Sequence, residues 1–524
     1  MEKHKLPKII HIRCDKMNKK HILKLIVTFV VILLFIGSFI STASNISKQK
    51  KSITKLKGGF NSKISDFEHN IDDPCTTNIL YPLSSIPAFA EKGGNFTINF
   101  KSNEFDNIYV YISTAYESVV DEIDLTIEHI WEDDSTWYAT VSVPFYTPEE
   151  LYNITLVIEN DTKFYFCSRP RAVSIIDEFP DDFSIIHLTD LHIGDPRGLI
   201  ENIKETIGWK AAKKCVNEIN LLHPDFVIIS GDLVFGQLYP FEYTREYKKC
   251  FEILQGFDVP TFLCPGNHDG YKKFREDGLE FWKEYFGPLY YSFDYGNYHF
   301  LSINSFDWAP LSRLTISFIP LNWGGCVQDK QLQWIEDDLA DSDANLNFMF
   351  LHHNPLWDTK KDSLLRWGYY NRNEMLSLIE TYDVDVVMAG HVHYDDVTTL
   401  NDTLYLTTTT ASSSLSGDDA YWGYRLIEIK DGQIVSYNYK EPKFSIPSYN
   451  LNYKFEDAYT AVVKNDLEKD VNVTLKFSVP KRPVYFPTDG KIIQERQNSF
   501  MKEIYVRVKI EKESEKTVSL SYLL

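Results

Sequence analysis

The sequence contains no Cys-x-x-Cys pair among its 7 cysteines, which excludes a zinc ribbon and a thioredoxin-type redox site. Glycine and proline, with 24 and 22 residues of 524, are too few for a fibrous chain. The 44% of hydrophobic residues are too many for a disordered one. The chain also has no surplus of basic residues, because its formal net charge is −20. An acidic body repels phosphate backbones, so a general nucleic-acid-binding protein is not expected.

One long uncharged apolar run, residues 25–43, follows a basic tail of residues 1–24. At about 1.5 Å per residue this run can cross a hydrocarbon layer of about 30 Å. The excess of Lys and Arg before it predicts a cytoplasmic tail, a single transmembrane helix in the cell membrane and an ectodomain outside. The alternative is a signal peptide that is cleaved near Ser41–Ala43, which would make the protein secreted.

The cysteines after this run fit an exported chain, in which disulfides are permitted. Cys75 and Cys167 lie at the two ends of a β-rich segment, and Cys215 and Cys250 lie on two predicted helices. These are the two expected pairs. Buried free thiols are an equally good interpretation of each cysteine.

Residue patterns divide the rest of the chain into four segments. Residues 44–74 are polar and rich in Lys and Ser, as in a linker. Residues 75–178 contain short strand-like runs and predict an all-β sandwich. Residues 179–440 alternate apolar strands with amphipathic helices, which predicts an α/β fold with layered sheets. Residues 441–524 return to alternating strands and predict a second all-β sandwich.

In the α/β segment a polar cluster directly follows each of five buried-type strands. The clusters are Asp190-Leu191-His192, Gly231-Asp232, Gly266-Asn267-His268-Asp269, His352-His353 and Gly390-His391-Val392-His393. Active sites of layered α/β sheets collect at the carboxyl ends of strands. The five clusters are therefore expected to converge on one place.

The residue types in these clusters indicate a metal site. Imidazole nitrogen, carboxylate oxygen and amide oxygen without thiolate suit Mn, Fe or Zn. There are too many ligands for one ion, so a two-metal centre with a bridging carboxylate is expected, of the kind that clamps a displacement at phosphorus. Gly231, Gly266 and Gly390 are predicted to let the backbone turn tightly beside the ligands.

The series DxH…GD…GNHD…HH…GHxH resembles the calcineurin-like metallophosphoesterases over about residues 183–435. The resemblance implies a four-layer α-β-β-α sandwich and a phosphoester hydrolase that works through a metal-bound hydroxide. It assigns the first metal ion to Asp190, His192 and His393, the second to Asn267, His352 and His391, and the bridge to Asp232. It also implies that His268 protonates the leaving oxygen or stabilises the transition state.

Differences from the motifs of individual branches indicate which branch of the family the sequence resembles most. The block GDLVFG at Asp232 lacks the GDxxDRG of the Ser/Thr protein phosphatases, and His192 replaces the Gly of the purple acid phosphatases. The pattern is nearer to the cyclic-nucleotide phosphodiesterase-like branch, and the domain order is similar to that of transmembrane protein 62-type proteins. A small phosphoester, by preference a diester, is the expected substrate.

Three neighbouring residues and two loops are left open. His353 could support the site or contact substrate, Asp269 could be structural, and His187 is expected to be a core histidine with satisfied nitrogens. The loops 305–327 and 356–372 contain aromatic residues and Arg, which could bind substrate or form a small core.

Two alternative functions remain. One is an Mre11-like nuclease, which the acidic composition disfavours. The other is a surface adhesion or scaffold protein with an inactive phosphoesterase domain, whose sign would be missing ligands. No protein partner is predicted.

Overall fold

The computed structural model describes residues 79–114, 122–161, 163–195, 208–238, 241–316, 319–357, 368–413, 421–440, 442–497 and 500–522. The predicted basic tail, transmembrane helix, linker and Cys75 lie outside the described residues. Within them, no helix is long and apolar enough to cross a bilayer.

The first part of the described chain consists of strands in two packed layers. The strands are Ile79–Tyr81, Ala88–Glu91, Asn95–Phe100, Asn107–Thr114, Glu122–Asp133, Thr136–Ser142, Glu150–Asn160 and Lys163–Ile176. The long strand Glu122–Asp133 pairs with Asn107–Thr114 at its start and with Thr136–Ser142 from Thr126 onward, with a bulge between Ile127 and His129. A bulge bends and twists a strand, which lets this one belong to both layers. Buried aliphatic side chains and a few aromatic ones fill the space between the layers.

The central part contains two mixed sheets packed face to face. The first has the strand order Thr261–Cys264, Phe226–Ser230, Phe183–Leu188, Gly423–Lys430, Gln433–Ser436, and Ile446–Pro447 also pairs with Gly423–Lys430. The second has the order Tyr291–Tyr295, Tyr298–Ile303, Leu346–Leu351, Val386–Ala389, Thr403–Thr407, Asp396–Leu400. The strands that precede the polar clusters are buried on both faces, which explains why they are continuous apolar runs.

Helices cover the outer face of each sheet. Gly208–Leu222, Glu242–Leu254 and Gly278–Phe286 pack on the first sheet, and Asp329–Asp341 and Arg372–Thr381 pack on the second. The result is the four-layer α-β-β-α order. Two short hairpins, Lys272–Lys273 with Glu276–Asp277 and Thr315–Ile316 with Ile319–Pro320, lie outside the sheets, as do the short helices Asn267–Gly270 and Pro310–Arg313.

The last part is again formed of two small antiparallel sheets. Its strands are Leu451–Asp457, Thr460–Asn465, Val471–Pro480, Tyr485–Pro487, Lys491–Gln497, Met501–Ile510 and Ser514–Tyr522. Their apolar faces share a core with the helix Gly208–Leu222. Arg496 Nη1 lies 2.7 Å from Glu150 Oε2, so the two β parts also contact each other through a buried ion pair.

The predicted Cys215–Cys250 disulfide is wrong. Both residues are buried free thiols, and Cys215 Sγ lies 3.6 Å from Ser448 Oγ. Each thiol lies in the core between the first sheet and its helices, where cysteine packs as a small apolar side chain.

Candidate metal centre

The predicted ligands lie in loops that leave the carboxyl ends of the central strands, and their backbones are unusual. Five of the seven have left-handed φ angles, although none is glycine: Asp190 55°, His192 41°, Asp232 53°, His391 75° and His393 60°. Such a conformation costs on the order of 1–3 kcal/mol per residue and persists where the surroundings impose it, as at functional sites. Most of the predicted ligands therefore carry backbone strain.

Asp190, His192 and His393 form one group of facing donor atoms. Asp190 Oδ1 lies 3.1 Å from His393 Nε2 and 3.4 Å from His192 Nε2. The two Nε2 atoms lie 3.1 Å apart. The other carboxylate oxygen of Asp190 accepts hydrogen bonds from Thr189 Oγ1 and from the backbone N–H of His391, which fix the side chain.

Asp232, His352 and His391 form a second group beside the first. Asp232 Oδ2 lies 3.1 Å from His352 Nε2 and 3.4 Å from His192 Nε2, so this carboxylate faces both groups. His352 Nδ1–H donates to the Ser230 carbonyl at 2.8 Å, so Nε2 is the nitrogen that faces Asp232. His391 Nδ1 faces that atom at 3.3 Å.

Asn267 lines one cavity of about 250 Å³ together with three of these residues, Asp232, His391 and His393. The cavity is lined by Asp232, Gln237, Asn267, His268, Tyr271, Pro320, Trp323, His391 and His393. Asn267 Nδ2 donates to Tyr271 OH at 2.7 Å, and this bond orients the amide. Its Oδ1 is buried and accepts no hydrogen bond from a described residue. A buried carbonyl oxygen without a donor is suited to a cation.

These residues fit metal ions. Donor atoms that share one ion at about 2.1 Å lie roughly 3.0–3.4 Å apart, which is the spacing within both groups. Imidazole nitrogens that face each other at this distance repel unless a proton or a metal lies between them. Asp190, Asp232 and His352 donors also lie within 4.8 Å of one another, as do those of His192, Asp232 and His268.

The electrostatics of the buried groups agree with a site for positive charge. Burial alone would raise the pKa of Asp232, but His352 and His268 outweigh it and hold the pKa well below its usual range. Burial opposes protonation of His352, yet Asp232 and Asp190 raise its pKa to about 9. Burial and His352 together lower the pKa of His391 to about 3. Both carboxylates are therefore charged, and a cation would stabilise them.

His268 is held in the same way as His352, because its Nδ1 lies 2.5 Å from the Phe235 carbonyl. A carbonyl can only accept, so Nδ1 carries the proton of this hydrogen bond. The backbone N–H of His268 donates to Asp232 Oδ1 at 2.8 Å. This bond ties the position of His268 to that of the carboxylate.

Three open assignments have structural answers. His353 Nδ1 and Nε2 contact Ser305 Oγ at 2.9 Å and the Trp323 carbonyl at 3.0 Å, so both ring nitrogens have protein partners. Asp269 accepts three backbone N–H groups, including that of Gly266, and is structural. His187 is buried, with hydrogen bonds to Ser230 and Thr408, and is a core histidine as predicted.

The glycines act in two different ways. Gly231 has a φ of 87° and makes the predicted turn. At Gly390 the reason is space, because a Cβ atom there would lie 2.0 Å from Thr189 Oγ1. A side chain at this position would displace the residue that holds Asp190.

Sequence reasoning missed a buried polar network behind the loop of residues 390–395. Arg425 Nη2 lies 2.7 Å from Asp395 Oδ1, and both side chains are buried. Asp395 also accepts hydrogen bonds from Tyr421 and from Ser445. This pair anchors the loop two residues after His393. Arg425 belongs to no sequence motif. It lies on the strand Gly423–Lys430 of the first sheet.

The two aromatic loops, residues 305–327 and 356–372, place fewer aromatic side chains at the cavity than their composition suggests. Trp323 lines the cavity, but Trp308 is buried and donates through Nε1 to the Gly324 carbonyl. Arg372 donates to the Leu356 carbonyl at 3.0 Å. Phe318, Arg366 and Trp367 lie outside the described residues. The described part of these loops places two residues, Pro320 and Trp323, at the cavity and buries Trp308.

A four-layer sandwich that gathers histidine, carboxylate and amide donors at its strand ends is the architecture of a metal-dependent hydrolase. Residues 183–395 match the family described as calcineurin-like phosphoesterase. This part of the chain therefore belongs to the calcineurin-like phosphoesterases, which hydrolyse phosphoric ester bonds with the help of metal ions. The predicted membership and the predicted class of enzyme are confirmed.

Relatives and solved structures share this region at low identity. A probable glycerophosphodiester phosphodiesterase of Arcobacter nitrofigilis is 26% identical over 238 residues, which are 45% of this chain and 80% of that protein. A probable cyclic nucleotide phosphodiesterase of Fibrobacter succinogenes is 26% identical over 225 residues, 43% of this chain and 78% of that protein. The structure of a purple acid phosphatase from yellow lupin seeds is 14% identical with a TM-score of 0.39, covering 68% of this chain and 71% of that one.

Proposed function

We propose that the protein is a phosphodiesterase whose seven predicted ligands hold two metal ions, with Asp232 shared between them. The observation that carries the proposal is the facing of donor atoms, with His192 and His393 nitrogens 3.1 Å apart on one side and His352 and His391 nitrogens 3.3 Å apart on the other. When bound, the ions would neutralise the reacting phosphate and make a water molecule more acidic.

The protein's own residues supply the remaining requirements of hydrolysis. The water oxygen forms a bond to phosphorus, the bond from phosphorus to the leaving oxygen breaks, and that oxygen must gain a proton. His268 is suited to donate this proton from Nε2 in its doubly protonated form, because the Phe235 carbonyl holds Nδ1–H and fixes the ring. Asp232 holds the backbone of the same residue.

The charge of the cavity favours a diester over a monoester. No Lys or Arg is among the described residues that line it. A phosphomonoester carries about two negative charges at neutral pH, and such dianions are usually held by Arg or Lys. A diester carries one negative charge, so it needs fewer cationic side chains in the cavity wall.

Leaving-group dependence tests the role of His268. The full chain, loaded in turn with Mn, Fe or Zn, is assayed on aryl and alkyl phosphodiesters and on an aryl monoester. His268→Asn should lower the hydrolysis of the alkyl diester far more than that of the aryl diester, whose leaving group needs less protonation. His129→Asn, on the first β part, is the control and should change neither rate. Equal losses on both diesters would contradict the role, and absence of hydrolysis by the wild type would contradict the function.

We also propose that the enzyme is anchored in the cell membrane by residues 25–43, with the phosphoesterase outside. The support is the apolar run with its basic tail. Protease treatment of intact cells that carry a C-terminally tagged chain should degrade the tag. A protected tag would contradict the orientation, and release of the tagged protein into the medium would indicate a cleaved signal peptide.

A further inference from the structure

Five large apolar side chains beside the cavity are exposed to solvent. They are Phe241 at 60%, Phe274 at 81%, Leu311 at 78%, Ile316 at 51% and Ile319 at 55% exposure. We call these five residues the mouth patch. Grouped apolar side chains on a surface typically mark a site of interaction.

The segments that carry the mouth patch are joined to one another. The backbone N–H of Phe241 donates to Glu276 Oε2 at 2.8 Å, and Phe274 occupies the tip of the hairpin that contains Glu276. Lys272 of the same hairpin forms a β-bridge with Leu314. Leu314 connects the short helix that carries Leu311 to the hairpin of Ile316 and Ile319. The segments that carry the five exposed side chains are therefore neighbours.

The mouth patch adjoins the opening of the cavity. Tyr271 lines the cavity and directly precedes Lys272. Pro320 also lines the cavity and directly follows Ile319. A molecule that bound the patch would thus lie beside the predicted metal ligands.

An exposed cation, Arg275, lies among these apolar side chains. Arg275 is exposed at the hairpin tip, 5.2 Å from the ring centroid of Phe274, and Lys272 is partly exposed. The neighbouring carboxylates Glu242 and Glu276 are buried. Asp277 is paired with Arg313 and Lys272. Apolar side chains with exposed cations thus adjoin the site of a chain whose net charge is −20.

We propose that the mouth patch lies on an anionic lipid bilayer and that the substrate is the phosphodiester of a lipid headgroup. This rests on the proposed function and specifies its substrate. Apolar side chains enter the boundary of the acyl chains while Arg meets phosphate. The apolar run of residues 25–43 would hold the enzyme at a membrane, and the linker of residues 44–78 can span at most about 120 Å when extended. A singly charged diester also matches the cavity wall.

The test compares two substrates in one preparation. The full chain is reconstituted into vesicles of phosphatidylcholine and phosphatidylglycerol with the active metal. Loss of phosphatidylglycerol is followed by mass spectrometry, and hydrolysis of soluble bis(p-nitrophenyl) phosphate by absorbance. The triple variant Phe274→Ser, Leu311→Ser, Ile319→Ser should cleave the lipid at least about tenfold more slowly and the soluble diester at the wild-type rate.

A matched control uses side chains of equal exposure elsewhere. Phe145 and Phe500 are 80% and 81% exposed, and Phe145→Ser with Phe500→Ser should leave both rates unchanged. Equal losses on both substrates in the triple variant, or an unchanged lipid rate, would overturn the proposal. So would a wild type that cleaves the soluble diester but not the lipid, or a triple variant that only converts a dimer into a monomer. If the wild type cleaves neither substrate with any metal, the proposed function itself fails.

Discussion

Two clusters of buried charge flank the loop of residues 390–395, and their carboxylates are balanced in different ways. Asp395 accepts hydrogen bonds from Arg425, Tyr421 and Ser445, so a protein cation and three protein donors satisfy it. Asp190 and Asp232 instead face histidine nitrogens and have no Lys or Arg partner among the described residues. Burying a charge is unfavourable unless it is paired.

We interpret the Asp395 cluster as complete by itself and the Asp190 and Asp232 cluster as one that an ion would complete. Thr408 links Arg425 to the core histidine His187, because its hydroxyl contacts His187 Nδ1 at 2.7 Å and accepts from Arg425 Nε at 3.4 Å. We interpret the Asp395 cluster as the support that holds His393 in place. Supporting groups of this kind typically change metal affinity 10–100-fold when they are removed. Three substitutions test the difference between the two clusters, and a fourth, at His299, tests a histidine that belongs to neither.

Asp232→Ala removes the carboxylate that faces both groups of donors. We expect the rate of phosphodiester hydrolysis to fall by about 10³-fold or more, since both ions lose a shared ligand. Bound metal, measured by mass spectrometry of the loaded protein, should fall in parallel. The circular dichroism spectrum should be unchanged. Retained activity in this variant would contradict the bridging role.

Arg425→Met leaves Asp395 buried without its cation. The free energy of unfolding should fall by about 3–5 kcal/mol, and the metal Kd should rise about 10–100-fold, because the loop that carries His393 loses its anchor. The control is Arg496→Met, which breaks the buried pair with Glu150 far along the chain. It should cost stability without changing metal affinity. Equal changes of metal affinity in the two variants would show that Arg425 acts only on the fold.

Tyr271→Phe removes the acceptor of the Asn267 amide. The amide can then rotate its oxygen away from the cavity, so the affinity for the second metal ion should fall about tenfold. Tyr152→Phe, which removes another tyrosine hydroxyl with a hydrogen bond in the first β part, is the control. Isothermal titration with Mn measures the affinity of each variant, which should fall in Tyr271→Phe and stay unchanged in Tyr152→Phe. Equal affinity in the Tyr271 variant and the wild type would exclude a positioning role.

His299 shows how a histidine behaves when protein carboxylates alone surround it. Burial would lower its pKa, but hydrogen bonds to Asp294 and Asp338 raise the pKa to about 9. Because the pKa is higher in the folded state, protonated His299 stabilises the fold. Its contribution to the free energy of unfolding is complete below the unfolded pKa near 6.5 and is lost as the pH rises through about 9. After allowance for solvent screening, we expect a loss of about 1–2 kcal/mol between these pH values.

Urea unfolding of the wild type and of His299→Gln at pH 6.5 and pH 9.5 measures this effect. The difference between the two proteins should shrink at the higher pH. A difference that is independent of pH would mean that the ring contributes by packing alone.

Much of the centre could be located from the sequence because local rules place it. Each polar cluster follows a buried apolar run, and both sheets deliver their strand ends to the same edge. The hairpin turn at Asp431-Gly432 could be predicted for the same reason, since its positive φ angles favour that dipeptide.

The remaining features depend on contacts that no short pattern records. Arg425 and Asp395 are 30 positions apart, and only the packing of strand Gly423–Lys430 beside the loop brings them together. The Cys215–Cys250 prediction was wrong because thiols on adjacent helices can pack into a core without pairing. The mouth patch depends on three loops that are distant in sequence.

Anomalous diffraction from crystals of the full chain loaded with Mn tests the central claim most directly. Two peaks roughly 3.5–4 Å apart are expected, with Asp232 between them. Asp190, His192 and His393 should surround one peak, and Asn267, His352 and His391 the other. A single peak, or peaks away from these side chains, would contradict the two-metal account.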